Sequence, residues 1–378
     1  MVDSRLLDRD GLERLLQLLR EDGWTPLGPT VRDGAIVYDE IAGVADLPVG
    51  VGDAQRPGQY RLVERGDGAL FGYAVPQTSW KRFLHPPRQR LYRVRRDGEE
   101  LRFEPDVAAV PPRLALIGAR ACELAALAVQ DRVLDQGAYP DPGYAARRRA
   151  LFVVAVHCTA PAATCFCASL GTGPRAAGGF DLALTELLAG GGARFLLETG
   201  SARGEAMAAR LPLAPATAED RAAAAAAVDR AARQGRRVDP AGLREALAAS
   251  LEHPRWDDVA GRCLACANCT LVCPTCFCTT VASRSGLEAD APSEHWRRWD
   301  SCFAPAFSYI HGGSVRVSVR SRYRQWLTHK LGTWADQFGT LGCVGCGRCL
   351  TWCPASIDLT AEVAALRGDP TADVAEPA

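Results

Sequence analysis

The sequence predicts a chain of two unlike parts, an α+β or α/β N-terminal domain followed by a smaller α-helical domain organised by cysteines. Three observations carry that prediction. The stretches Cys263-Leu-Ala-Cys266-Ala-Asn-Cys269-Thr-Leu-Val-Cys273-Pro274 and Cys343-Val-Gly-Cys346-Gly-Arg-Cys349-Leu-Thr-Trp-Cys353-Pro354 share the spacing C-x2-C-x2-C-x3-C-P, 80 positions apart. Upstream, apolar runs of strand length alternate with turns and helical patterns, the layout of an α/β layer. Between them lies an alanine- and arginine-rich segment, 219–251, with no strong apolar stripe, which suits an exposed connecting helix pair. The expected divisions are 1–218 for the N-terminal domain, 219–255 for a helical linker, 256–369 for the cysteine domain and 370–378 for a disordered tail.

Taken in order, residues 5–21 place leucines at helical spacing. Gly34 to Ile41 alternates like a strand, and Tyr60–Glu64 and Leu70–Val75 read as two more around the turn Gly66-Asp67-Gly68, so the first third is β-rich. Arg113 to Ile117 is a strand ending at Gly118-Ala-Arg120-Ala-Cys122-Glu123, with a helix running on to about Leu134. Leu151–Val156 is a second buried strand, leading into His157-Cys158, and Ala193–Leu197 is a third. Arg316-Val-Ser-Val-Arg320 alternates as in a hairpin.

The repeated spacing is that of bacterial two-cluster ferredoxins. Three thiolates two residues apart can wrap three corners of one cubane, while the fourth, followed by proline, ligates the other cluster. Cys263, Cys266, Cys269 and Cys353 are therefore assigned to one [4Fe–4S] cluster, and Cys343, Cys346, Cys349 and Cys273 to a second, in a ferredoxin-like dicluster domain. Zinc prefers two separated pairs, often with histidine, and neither run contains a histidine.

Seven of the fifteen cysteines remain. Cys122, Cys158, Cys165 and Cys167 sit at or just after the ends of predicted strands, the edge at which open α/β sheets bind ligands. Thr164-Cys165-Phe166-Cys167 lies in a small-residue loop, which favours a third cluster over small buried hydrophobes. Cys276, Cys278 and Cys302 supply three thiols, either for an additional site with one foreign ligand or as packing and weak hydrogen-bond donors near the first cubane.

Composition removes several classes. Net charge is zero, so the basic stretch Arg316, Arg320, Arg322, Arg324 and Lys330 reads as a solvated face or a docking surface rather than a nucleic-acid site. Lysine occurs only at Lys81 and Lys330, read here as genomic bias. The beginning of the chain lacks a signal-peptide layout and no apolar run is of spanning length, so the chain is expected to be cytoplasmic with reduced thiols. G-x-G-x-x-G, P-loop and G-x-S-x-G patterns in their required settings are missing. His157, beside Cys158, is either a cluster-tuning donor or a satisfied buried group.

Gly118–Glu123, Cys158–Pro174, Cys263–Cys278, Trp299-Asp-Ser-Cys302 and Cys343–Cys353 together resemble the β subunits of cytosolic sulfhydrogenase-type nickel–iron hydrogenases. The related electron-transfer component of anaerobic sulfite reductase has a similar layout. The resemblance runs from about Gly28 to Asp358. It implies a non-catalytic iron–sulfur subunit carrying electrons between the small and large hydrogenase subunits, or their sulfite reductase counterparts, and a flavin/NAD(P)-binding subunit. An enzyme with an open iron at Cys276, Cys278 and Cys302, and a regulatory or nucleic-acid module with structural clusters, are the competing readings. Activity in the isolated chain would mark the former, and clusters that do not reduce reversibly the latter.

Overall fold

The computed structural model describes residues 5–105, 111–189, 192–288 and 291–368; the expected tail at 370–378 lies outside them. A mixed eight-stranded sheet forms the N-terminal part. Its strand order is Ala214–Pro215, Arg5–Leu7, Gly192–Thr199, Leu182–Ala189, Leu151–Val156, Leu114–Ala119, Thr25–Arg32 and Ala35–Glu40. The four from Leu182–Ala189 to Thr25–Arg32 run parallel, and the outer neighbours are antiparallel. Leu114–Ala119 and Leu151–Val156 are buried at every position, as strands covered on both faces must be. The predicted strand–turn–helix unit is present, with the helix at Ala121–Leu134.

Several local expectations are corrected. The leading helix spans Arg9–Glu21, because Asp8 accepts from Gly11 N and starts it there, leaving Arg5–Leu7 to pair with Phe195–Leu197. Leu70–Val75 is not a strand. Its amides donate to carboxylates, Leu70 and Phe71 to Glu186 and Ala74 to Asp53, while Arg120 gathers the carbonyls of Phe71, Tyr73 and Ala74. With those groups satisfied, the segment has no need of a ladder. Gln59–Glu64 pairs instead with Val51–Arg56. At 316–320 the expected strand gives way to the helix Val319–Thr328, whose first turn Ser318 caps. The alanine-rich segment does form two helices, Ala218–Ala231 and Leu243–Ala249, and Ala224, Val228 and Ala231 are buried.

The C-terminal part is not purely α-helical. Thr279–Ser285 and Ser293–Trp299 form a hairpin that joins Arg88–Asp97 and Glu100–Pro105 in a second, four-stranded sheet. Cysteine loops and helices from this part pack around Trp256, Phe303, Tyr323 and Trp326.

Candidate iron–sulfur centres

The two cysteine loops repeat in backbone as well as in sequence. Ala265 and Ala267 have φ of 50° and 66°, and Gly345 and Gly347, at the matching positions, have 63° and 76°. Each loop then enters a single helical turn, Asn268–Leu271 or Arg348–Thr351. The bend points amides back at the first thiol of each loop, Ala265 N at 3.4 Å from Cys263 Sγ and Gly345 N at 3.5 Å from Cys343 Sγ.

The proline-flanked cysteines cross over. Cys263, Cys266, Cys269 and Cys353 all line one cavity, whose wall includes Phe303, Tyr323, Trp326 and Ile357 and is touched by Cys349 of the second loop. Burial, then the neighbouring thiols of Cys263 and Cys353, push the Cys269 thiol well above its usual range. Cys273 sits with the other loop: burial raises Cys343 to about 12, and both Cys346 and Cys273 act on it. Cys349 feels Cys343, Cys346 and Cys273, and also Cys269 of the first group, so the two groups adjoin.

Cys122, Cys158, Cys165 and Cys167 are brought together as well. All four are buried at the carboxyl edge of the central strands. Burial raises Cys165, with Cys158 and Cys167 the next causes, and raises Cys167 to about 11. Cys346 acts on Cys122, Cys165 and Cys167, which sets this group against the second. Backbone contacts fix that junction: Phe166 N donates to Gly345 O at 2.9 Å, and Thr172 Oγ1 to Val344 O at 2.8 Å.

The donor sets fit iron–sulfur cubanes. Each has four thiols, and a bound metal would deprotonate them, including those such as Cys122, Cys165, Cys269 and Cys349 whose burial raises the free thiol. Among the described residues no three His, Cys, Asp or Glu side chains are grouped so as to hold a single metal ion.

Residues 262–357 match the family model for a 4Fe-4S dicluster domain. The chain is also 31% identical over 282 residues to the sulfhydrogenase 2 subunit beta of Pyrococcus furiosus, covering 74% of this chain and 79% of the relative. The chain belongs to the sulfhydrogenase β-subunit family. It is thus an iron–sulfur, hydrogenase-type subunit with [4Fe–4S] clusters in its C-terminal part. No solved structure matches it. Among the described residues no helix is long and apolar enough to cross a membrane.

In this sulfhydrogenase β-type chain the three remaining cysteines, Cys276, Cys278 and Cys302, behave differently. Cys276 acts on the Cys273 thiol and Cys302 on the Cys278 thiol, each lowering it. They pack beside the second group as well as the first, since Cys302 is raised first by Cys278 and also feels Cys269. His157 faces away from the thiols: its Nδ1 accepts from Ala176 N at 3.1 Å and its Nε2 meets Glu198 at 3.0 Å. It is a satisfied buried group. Of the basic stretch, Arg320 and Arg324 pair with Glu252, and Lys330 is buried.

Sequence reading missed the cations. Arg348, fully buried, donates to Pro76 O and to Glu123, and Arg120 donates to four carbonyls beside Cys158. Gln234, just past the alanine-rich helix, donates to Cys167 Sγ at 3.3 Å. Arg120 and Arg348 fall inside the cysteine motifs, but nothing in the sequence shows the contacts they make. Both lysines, however, lie against Cys273 and Cys276, so their rarity was a usable signal.

Proposed function

We propose that this chain is the electron-transfer subunit of a cytoplasmic sulfhydrogenase-type nickel–iron hydrogenase. It relays single electrons between the catalytic subunits and a flavin/NAD(P)-binding subunit. The observation that carries the reading is the succession of three thiol groups. It runs from exposed Cys266, through the Cys343 loop, to Cys122 and Cys158 at the sheet edge. The relative's name, a sulfhydrogenase β subunit, supports the choice of complex.

In this reading Cys263, Cys266, Cys269 and Cys353 hold one [4Fe–4S] cluster. Cys273, Cys343, Cys346 and Cys349 hold a second, and Cys122, Cys158, Cys165 and Cys167 a third. When bound, the clusters supply reversible one-electron chemistry. The chain's own residues do the rest. Aromatic and aliphatic walls keep water from the inner groups, and loop amides donate to Cys263, Cys343 and Cys353. Arg120 and Arg348 place fixed positive charge beside Cys158 and Cys346. Cys276, Cys278 and Cys302 act as packing and hydrogen-bonding groups rather than ligands.

The test uses the purified complex with Cys158 and Cys165 both changed to serine. Passage of electrons between NAD(P)H and hydrogen is expected to fail, while each half-reaction with an artificial carrier persists. Unimpaired passage would contradict the reading.

A further inference from the structure

Of the 44 lysine and arginine residues in the chain all are arginine except Lys81 and Lys330, and both exceptions are buried in one place. Lys330 is 3% exposed and stands in a π-helical turn, His329–Thr333, a rare backbone form that recurs at functional positions. Its Nζ lies 3.4 Å from Cys273 Sγ, 3.1 Å from Thr275 Oγ1 and 3.2 Å from Gly342 O. Lys81 donates to Cys276 O at 3.0 Å and sits 4.0 Å from the centre of the Trp299 ring. Among the described residues neither ammonium is paired with a carboxylate. A buried cation without a counter-ion is unfavourable, and for Lys330 the sulfur of Cys273 is the group placed to supply the balancing charge. The compact ammonium, unlike a planar guanidinium, can meet a sulfur, a hydroxyl and a carbonyl together.

The twin loop has no such device. Thr275 and Cys276 correspond to Ala355 and Ser356, and the donor to Cys353 is a backbone amide, Ile357 N at 3.4 Å. Lys330 also acts on Cys343, and Arg348 on Cys346, whereas Arg322 is the cation facing Cys263. The pseudo-symmetric groups therefore differ in electrostatics while sharing a backbone.

We propose that Lys330 poises the cluster held by Cys273, Cys343, Cys346 and Cys349 at a higher reduction potential than its twin, making it the place where the first electron on the dicluster part rests. Lys81 contributes in the same sense from farther out. The step is a one-electron reduction by the partner subunit's donor or, in the test, by dithionite, with no bond made or broken. A fixed positive charge in a low-dielectric site stabilises the more negative, reduced form. Lys330 is a tuning residue, not a ligand. The inference rests on the two-cluster reading above.

The experiment is a redox titration followed by electron paramagnetic resonance on anaerobically purified full-length protein, with iron content measured in parallel. The wild type should show two separable steps for the dicluster part, with Cys349→Ser disturbing the higher and Cys269→Ser the lower. Lys330→Met should retain its iron and lower the higher step alone, and Lys81→Met should lower it by less. Coincident steps in the wild type, or an unmoved step in either iron-replete lysine variant, would overturn the inference and leave the relay reading standing. Iron clusters that do not reduce in the wild type would overturn both.

Discussion

Ala267 and Gly347 share a left-handed backbone, yet only one of them can be alanine. A Cβ at Gly347 would lie 2.5 Å from Thr164 O, and one at Gly345 2.6 Å from the backbone of Cys167. The second loop is pressed against the Thr164–Cys167 loop, and glycine is what permits that approach. Gly345→Ala should therefore destabilise the iron-loaded protein by more than ~2 kcal/mol, combining left-handed strain with overpacking. Ala267→Gly should relieve strain and stabilise it by ~1 kcal/mol. Anaerobic denaturant titration checks both. His85 offers a second test at this scale. Burial first, then Arg297 and Lys81, lower its pKa to about 4, and neither ring nitrogen has a partner among the described residues. From about pH 6.5 down to that value the unfolded chain binds the extra proton, so stability falls as pH falls, by up to ~3 kcal/mol in all. In His85→Phe that part of the slope should vanish from a stability–pH profile.

The junction between elements rests on a buried ion pair. Arg348, from the second cysteine loop, meets Glu123, on the helix that carries Cys122, at 2.6 Å, and Tyr38 donates to the same carboxylate. Glu123→Ala leaves an uncompensated guanidinium and should cost ~3–5 kcal/mol, measured by denaturant unfolding with clusters bound. What is legible in the sequence is local. The cysteine spacing, the Leu114–Ala119 and Leu151–Val156 strands and the following helix each follow from short-range pattern. Leu70–Val75 misleads because its amides are satisfied by Glu186 and Asp53, which lie far off in sequence. The roles of Arg348, Glu123 and Gln234 are hidden for the same reason: they exist only across the interface. The two lysines are visible, but composition alone reads them as bias.

Across the whole molecule the N- and C-terminal halves are interlaced. Ser293–Trp299 pairs with Arg88–Asp97, and Gln130 on the first half donates to Pro274 O, next to Cys273. A fragment starting near residue 256 would lose the sheet partner of its hairpin and the counter-charge of Arg348. Such a fragment is expected to be poorly folded, and circular dichroism with anaerobic reconstitution would reveal it. The same interlacing sets the Thr164–Thr172 loop against the Cys343 loop, through Phe166 N to Gly345 O and Thr172 Oγ1 to Val344 O. The most direct measurement is iron and acid-labile sulfide per chain on anaerobically purified protein, before and after Cys158 and Cys165 are changed to serine. Three clusters predict about twelve irons falling by about four; an unchanged iron count, or zinc in place of iron, would contradict the account.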